Sequence, residues 1–413
     1  MEPYKKLPYN TSMDKKKELE GLYNSDKKDQ KEKVVLGLSG SMDSLVSAYL
    51  LKIQKYELLA YTVVTSSDEG DPEGAQRFSC HKTQAHLDKL KEFCHKLGIP
   101  HQVIKASEEF KEYVVGTWAS ERVSGQYANP CLNCHELRMK LLHKKMIEVG
   151  ARYMATGHFA KVFHHEAHDS VFLHTSNDEE LDQSLLLGRL PREILNSLIL
   201  PLSDLGQKEV LKLAENFGIT PSQKEVKFGK CLSLNESDFI SKLVPGRFLN
   251  EGIFRGEESE TEFGNHQGVQ HYTYGQLVEV RDQGRLSKMK IGKFNFHTKE
   301  IKLFNDDFFK RKDLLLIDCQ FSEDVSWIEP LKGFLKKETQ QETECRIQRK
   351  NLNAVAIELS DKVHFSEGEV VSIVRKKGKN AKVFLTGKVQ FLKDSDTDEG
   401  EESDKKINYS VDF

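Results

Sequence analysis

The chain has 413 residues, enough for two or three domains with cores of their own. A hydrophobic share of 38% and a charged share of 30% describe a globular protein, and no apolar run reaches the roughly 20 residues of a membrane-spanning helix. The net charge of −3 excludes a global basic field, but 61 Lys and Arg residues leave room for local basic faces.

Residues 1 to 32 are dominated by Lys, Glu and Asp and read as a charged, solvated extension. They contain no apolar core of a signal peptide and too many acids for a transit peptide, so a cytoplasmic location with no membrane partner is expected. From 33 to 205, strand-like and helix-like segments alternate. KVVLGL reads as a strand and DSLVSAYLLKI as a helix. ELLAYTVVT is a second strand, AHLDKLKEFCHKLGI an amphipathic helix, and HQVIKA a third strand. ELRMKLLHKKMIEVGA is a helix followed by the strand RYMATGH. This rhythm predicts an α/β fold with a doubly wound parallel sheet.

The rhythm changes after 205. KEVLKLAENFGI is a helix, and 206–280 otherwise has many glycines and few long elements, as in a small central domain. Short alternating strands dominate 281–391, among them KMKIGKFNF, LLLIDCQF, AVAIELS, EVVSIVRK and AKVFLTGKVQFL, which predicts a C-terminal antiparallel β-barrel. Residues 392–413 form an acidic tail.

The seven cysteines form an odd set in a chain without secretory features, which argues against a disulfide scaffold. Cys94, Cys319 and Cys345 read as small buried hydrophobes. Cys80 lies near His81 and His86, but the spacing matches no standard metal site.

Between the first strand and the first helix lies a run of small and hydroxyl residues, Ser39, Gly40, Ser41, Asp43 and Ser44. A small-residue loop that opens a helix aims backbone N–H groups at an anion. A Walker-type loop would close on Gly-Lys-Ser/Thr, and no lysine is present. The pattern suits a loop that grips a leaving pyrophosphate, in chemistry that cuts ATP between its α and β phosphates.

LSGSMDS resembles the SGGxDS loop of the PP-loop ATP pyrophosphatases. Five further stretches resemble one branch of them, the tRNA-specific 2-thiouridylases. NPCLNCHELRMKLL (129–142) resembles their NPxxxCN before a helix, and GKCLSLNES around Cys231 resembles their GxCF. TGHFA (156–160) matches TGHYA, DQS (182–184) matches KDQS, and GNHQGVQHYTYGQ (264–276) matches GxHxGxxxYTxGQ. The order and spacing agree from 34 to 276.

The resemblance implies an ATP-dependent tRNA-uridine 2-sulfurtransferase that uses ATP with Mg2+, binds tRNA, and receives sulfur from a donor protein such as a cysteine desulfurase or a relay. ATP contacts are implied at Gly37, Leu38, Ser39, Gly40, Ser41, Met42, Asp43, Ser44, Val63 and Gly157. Asn129, Pro130 and Cys131 would lie beside the target base, His158 near nucleotide or RNA, and Asp182 and Gln183 on tRNA. Cys134 and Cys231 would be catalytic, with a persulfide on Cys231. A helix beginning near His135 would help Cys134 act as a thiolate.

Cys131 stands where the family commonly has Asp, so Cys131 and Cys134 form a CxxC pair. With Cys231 they make three thiols, the set a 4Fe-4S cluster needs if one iron stays open. A persulfide–disulfide mechanism and a zinc site are the other readings. Other departures are Ser41 for the second glycine of the loop, Leu181 for a lysine, Leu277 for an arginine, Lys224-Glu225-Val226-Lys227 for KKDS, and Glu367-Gly368-Glu369 for PGQ. If position 41 needs a positive φ, its side chain costs about 1–2 kcal/mol. These changes leave open a divergent PP-loop enzyme that thiolates or amidates another substrate, and a degenerate RNA-binding paralogue.

Overall fold

The computed structural model describes residues 32–65, 83–123, 126–165, 170–219, 246, 250–257, 261–282, 284–295, 298–321, 330–339 and 341–391. The first strand is β1 (Lys33–Gly37), whose centre Val34, Val35 and Leu36 is fully buried. A parallel strand covered on both faces needs no polar alternation, which explains the unbroken apolar run. Then come α1 (Met42–Ile53), β2 (Glu57–Val64), α2 (Gln84–Lys96) and β3 (His101–Lys105). A helical run starts at Ser107–Glu109, continues as a π-helical stretch Phe110–Gly116, and ends as α3 (Thr117–Val123).

The long helix α4 (Pro130–Glu148) leads to β4 (Tyr153–Ala155). A hairpin of β5 (Lys161–His165) and β6 (Ser170–His174) follows, then α5 (Ser184–Leu187), α6 (Arg192–Asn196), β7 (Leu198–Ile199) and α7 (Gln207–Asn216). The main sheet has the order β3-β2-β1-β4-β7 and is parallel throughout. Strand order reverses beside β1, so the crevice beyond the carboxyl ends of β1 and β4 is the natural ligand position.

A second sheet contains β8 (Gly252–Gly256), β9 (Glu262–His266), β10 (Leu277–Asp282), β11 (Arg285–Asn295) and β12 (Glu300–Phe304), in the order β10-β11-β12-β8-β9. KMKIGKFN of the stretch expected in the barrel lies in β11 of this sheet. The barrel itself is closed by β13 (Lys310–Phe321), β14 (Leu331–Lys337), β15 (Glu342–Arg349), β16 (Val355–His364), β17 (Val370–Val374) and β18 (Val383–Gln390), in the order β13-β16-β15-β14-β17-β18. Its interior is aliphatic, with Leu335, Ile347, Val355, Ile357 and Ile373 at most 2% exposed. Closure leaves no open edge for other chains to pair with.

The barrel and the parallel sheet share a core. Val374, Ala381 and Val383 of the barrel pack in one cluster with Met154, Leu173, Leu187 and Leu195. Cys94, Cys319 and Cys345 are buried as expected, and burial pushes each thiol up to about 12. His86 bonds to Thr83 in the cap of α2, while Cys80 and His81 lie outside the described residues, as do the charged extension and the acidic tail. Among the described residues, no helix is long and apolar enough to cross a membrane.

Candidate active site

The loop after β1 is held by its own hydroxyls. Leu38 N–H donates to Tyr61 O at 2.9 Å, and Thr62 Oγ1 donates to Leu38 O at 2.7 Å, tying the loop to β2. Gly40 carries the left-handed conformation, φ +87, and its N–H donates to Ser44 Oγ at 3.0 Å. Ser41 is extended, φ −68 and ψ 158, and is the N-cap of α1, its hydroxyl accepting from Ser44 N–H at 3.4 Å. The strain expected at Ser41 is therefore absent: the positive φ falls on the retained glycine, and a serine N-cap stabilises the helix start. Asp43 stands in the first turn of α1.

This loop forms one wall of a cleft of about 710 Å³ at the carboxyl ends of β1, β2 and β4. Ser39, Ser41, Asp43 and Ser44 line it with Gly37, Leu38, Val63, Gly157, His158, Asp182 and Gln183. Of the expected ATP contacts, Gly40 and Met42 are not on its lining. Gly157 packs against the loop so closely that a Cβ there would lie 2.8 Å from Asp43 C and 2.9 Å from Ser44 N. Both atoms are backbone and cannot swing aside. Gly157→Ala is expected to push the loop by about 1–3 kcal/mol of overpacking, weakening ATP about 10- to 100-fold in an equilibrium titration with the fold retained.

The opposite wall is α4. Asn129 is its N-cap, with Oδ1 accepting from Cys131 N–H at 3.0 Å, and Pro130 opens the first turn. The helix thus begins at Pro130, not near His135. Cys131 lies in the first turn and Cys134 in the second, one turn apart, so a helix terminus facing Cys134 is not the feature that the structure provides. Instead Arg138, one further turn along, donates from Nε to Cys134 Sγ at 3.3 Å. The same guanidinium donates to Val63 O at 3.0 Å and Thr65 Oγ1 at 3.3 Å, bridging the thiol to the cleft end of β2. Phe110, Val114, Val115 and Leu137 cover the Cys134 side chain, which leaves the residue 9% exposed. The i, i+4 spacing from Cys134 makes Arg138 a partner that sequence alone signals.

His135 and His158 meet on the cleft wall, Nε2 to Nε2 at 3.1 Å, and His158 Nδ1 lies 2.7 Å from Thr156 Oγ1. Desolvation pushes the His158 imidazole down to about 4 and holds His135 well below its ordinary value, so both rings are neutral near pH 7. His135 Nδ1 is buried with no hydrogen-bond partner.

The barrel supplies the rest of the cleft through Lys336, Lys337 and Glu338, at and just beyond the end of β14. Lys336 Nζ pairs with Asp182 Oδ2 at 2.8 Å, with side chains 5% and 1% exposed. Asp182 also accepts from Ser176 N–H and from the Ser184 hydroxyl, each at 2.8 Å. Asp182 is thus turned inward as a clasp, and Gln183 Oε1 accepts from Phe159 N–H at 3.0 Å. Leu181, in place of the family lysine, packs against the apolar cluster that includes Val46, Phe159 and Leu202. Glu338 accepts from Tyr127 Oη at 2.9 Å and from Asn129 Nδ2 at 3.3 Å, gripping the head of α4. Glu369 pairs with Lys337 at 3.1 Å, so its charge does not face solvent. No local pattern announces these barrel residues, which reach the cleft across 154 residues of chain in the case of Lys336 and Asp182.

Cys231 lies outside the described residues. Among the described residues no group of three His, Cys, Asp or Glu forms a metal site.

The family described as the tRNA methyl transferase HUP domain matches residues 32–233. The tRNA-specific 2-thiouridylase MnmA 2 of Fusobacterium nucleatum is 30% identical over 312 residues, covering 73% of this chain and 84% of that protein. The tRNA-specific 2-thiouridylase MnmA of Clostridium beijerinckii is 29% identical over 295 residues, covering 70% and 80%. Among solved structures, a 4-thiouridine synthetase–RNA complex with bound ATP matches 49% of this chain and 45% of its own at 16% identity, with a TM-score of 0.34.

Proposed function

Because this chain belongs to the tRNA-specific 2-thiouridylase family, we propose that it is an ATP-dependent tRNA sulfurtransferase that converts a uridine, most consistently at the wobble position, to 2-thiouridine. The observation that carries this reading is the cleft. A lysine-free loop, Ser39 to Ser44, lies across it from α4, where Arg138 lines the cleft and ties the Cys134 thiol, buried behind the lining, to Val63 O at the end of β2.

The chemistry follows in two stages. The uridine C2 oxygen attacks the α-phosphorus of ATP, the bond to the bridging oxygen breaks, and pyrophosphate leaves. The loop and the start of α1 stabilise the developing negative charge. A sulfur nucleophile then attacks C2, and AMP leaves with the former carbonyl oxygen. In a persulfide route, the terminal sulfur on Cys231 makes that attack. Cys134 thiolate then displaces the thiolated base from the bridging sulfur, leaving a Cys134–Cys231 disulfide. Arg138 orients the Cys134 sulfur and offers it a charge-assisted hydrogen bond.

Cys131 and Cys134, one turn apart, also suit two of the three thiolate positions of a 4Fe-4S cluster, with Cys231 as the third. Such a cluster would supply an open iron that carries sulfur. We further infer that the nucleotide contacts are the loop residues with Val63 and Gly157, that ATP enters with Mg2+, that a separate protein donates the sulfur, and that the enzyme works on tRNA in the cytoplasm. The expected division is 33–205 for ATP chemistry, 206–280 as an adaptor, and the remainder to 391 for the barrel, with 281–304 assigned to the adaptor on its strand pairing.

The test is ATP–pyrophosphate exchange with and without unfractionated tRNA, followed by mass spectrometry of nucleosides from the treated tRNA. Exchange stimulated by tRNA and a 2-thiouridine product are expected with a sulfur source present. No nucleotide binding at millimolar ATP would instead favour the degenerate paralogue.

A further inference from the structure

The turn between β17 and β18 carries five cations in eight residues: Arg375, Lys376, Lys377, Lys379 and Lys382, in a chain whose net charge is −3. Arg375, Lys376, Lys377 and Lys379 are exposed. Among the described residues, Lys376, Lys377 and Lys379 form no ion pair.

The turn is also fixed in place. Thr175 N–H donates to Ala381 O at 2.9 Å, Ala381 N–H returns to Thr175 Oγ1 at 2.8 Å, and Thr175 Oγ1 donates to Gly378 O at 3.1 Å. Gly378 N–H donates to Glu342 Oε2 at 2.9 Å, and Gly378 with φ +77 and Asn380 with φ +53 make the reversal. Lys377 stands over the Phe334 ring at 5.4 Å and Lys382 over Phe172 at 3.6 Å. A surface loop under no demand has no need of so many tethers.

Its position is what gives the charge a use. The tethers run to residues 174–176, directly before the stretch Glu180–Gln183 that lines the cleft. Glu342, which holds the turn, is 3.9 Å from Lys336, the lysine paired with Asp182 in the cleft wall. We propose that this turn is a phosphate-backbone site for the RNA substrate, gripping the strand beside the nucleotide whose base enters the cleft. It supplies affinity and register without reading sequence. The inference rests on the tRNA reading above.

Binding of the full-length protein to unfractionated tRNA, measured over a range of salt, tests it. Replacing Lys376, Lys377 and Lys379 together by Gln is expected to weaken binding at least about tenfold near 0.1 M salt. The slope of log affinity against log salt becomes shallower by about 2–3, roughly one per lost contact. ATP affinity stays at the wild-type value, and the triple Lys→Arg variant keeps tRNA affinity and slope. Lys379→Glu, at a side chain with no ion pair among the described residues, gives the same direction should the triple variant fold poorly. If wild type binds tRNA and the variants bind with its slope, the inference is overturned, and the turn is left to an acidic protein surface. If wild type binds no tRNA, the tRNA reading falls with it.

Discussion

Changing Cys134 to Ser is expected to abolish tRNA thiolation, by at least about 10³-fold in rate, while tRNA-stimulated pyrophosphate exchange stays within about twofold of wild type. In the proposed reaction the two stages draw on different elements: adenylation on the loop and α1, sulfur transfer on the buried thiol that receives the Arg138 Nε hydrogen bond at 3.3 Å. Serine keeps the size and the hydrogen bond but is a far weaker nucleophile at neutral pH, so the adenylated uridine would form and persist. Wild-type thiolation by the serine variant would remove Cys134 from the mechanism. Cys131→Ala then separates the routes beyond it. A persulfide–disulfide exchange between Cys134 and Cys231 tolerates the change, and a cluster with three thiolate ligands does not. Iron and sulfide content after anaerobic purification distinguishes the same two routes without an activity measurement.

Lys336→Met is expected to destabilise the protein by about 3 kcal/mol, read as a shift in urea midpoint at constant slope. The pair it breaks is almost wholly buried, with side chains 5% and 1% exposed. Removing the lysine leaves a carboxylate in the interior without its cation, beside the Ser176 and Ser184 donors. The double variant Lys336→Met with Asp182→Asn should recover part of the loss, because the orphaned charge is gone. A loss under about 0.5 kcal/mol would mean that the pair neither holds the barrel against the sheet nor shapes the cleft, since that is the range of an ordinary surface change. ATP affinity should fall as well, because Lys336 and Lys337 line the nucleotide cleft.

The parts of this protein legible in its sequence are those in which chemistry and chain neighbours coincide. The run Val34 to Leu36, the capped loop and the apolar face of α1 lie within twenty residues, and their physics is local. The thiols one turn apart on α4 are legible for the same reason. The start of that helix is also written locally, in an Asn cap followed by Pro at the first position; starting the helix at His135 overlooks it. Ser41 is a subtler case. A substitution for glycine looks strained only until the φ values show that Gly40 carries the turn.

Other features have no local signature. The alternation in β11 is the same whether the strand closes a barrel or joins an open sheet, because a strand pattern reports its faces and not its neighbours. Asp182 reads as an RNA contact only through the resemblance of DQS to a family motif. Its lysine lies far along the chain, and only folding reveals that the charge is already spoken for.

The barrel's share in the cleft sets an order of events at the ribosome. The loop, α1 and α4 emerge early, but Lys336 to Glu338 and the 375–382 turn follow hundreds of residues later. Native contacts of such long sequence separation form late. During synthesis the loop after β1 is therefore present long before the barrel wall that encloses it. A nascent chain has only an open groove there until Lys336 to Glu338 have been made and folded.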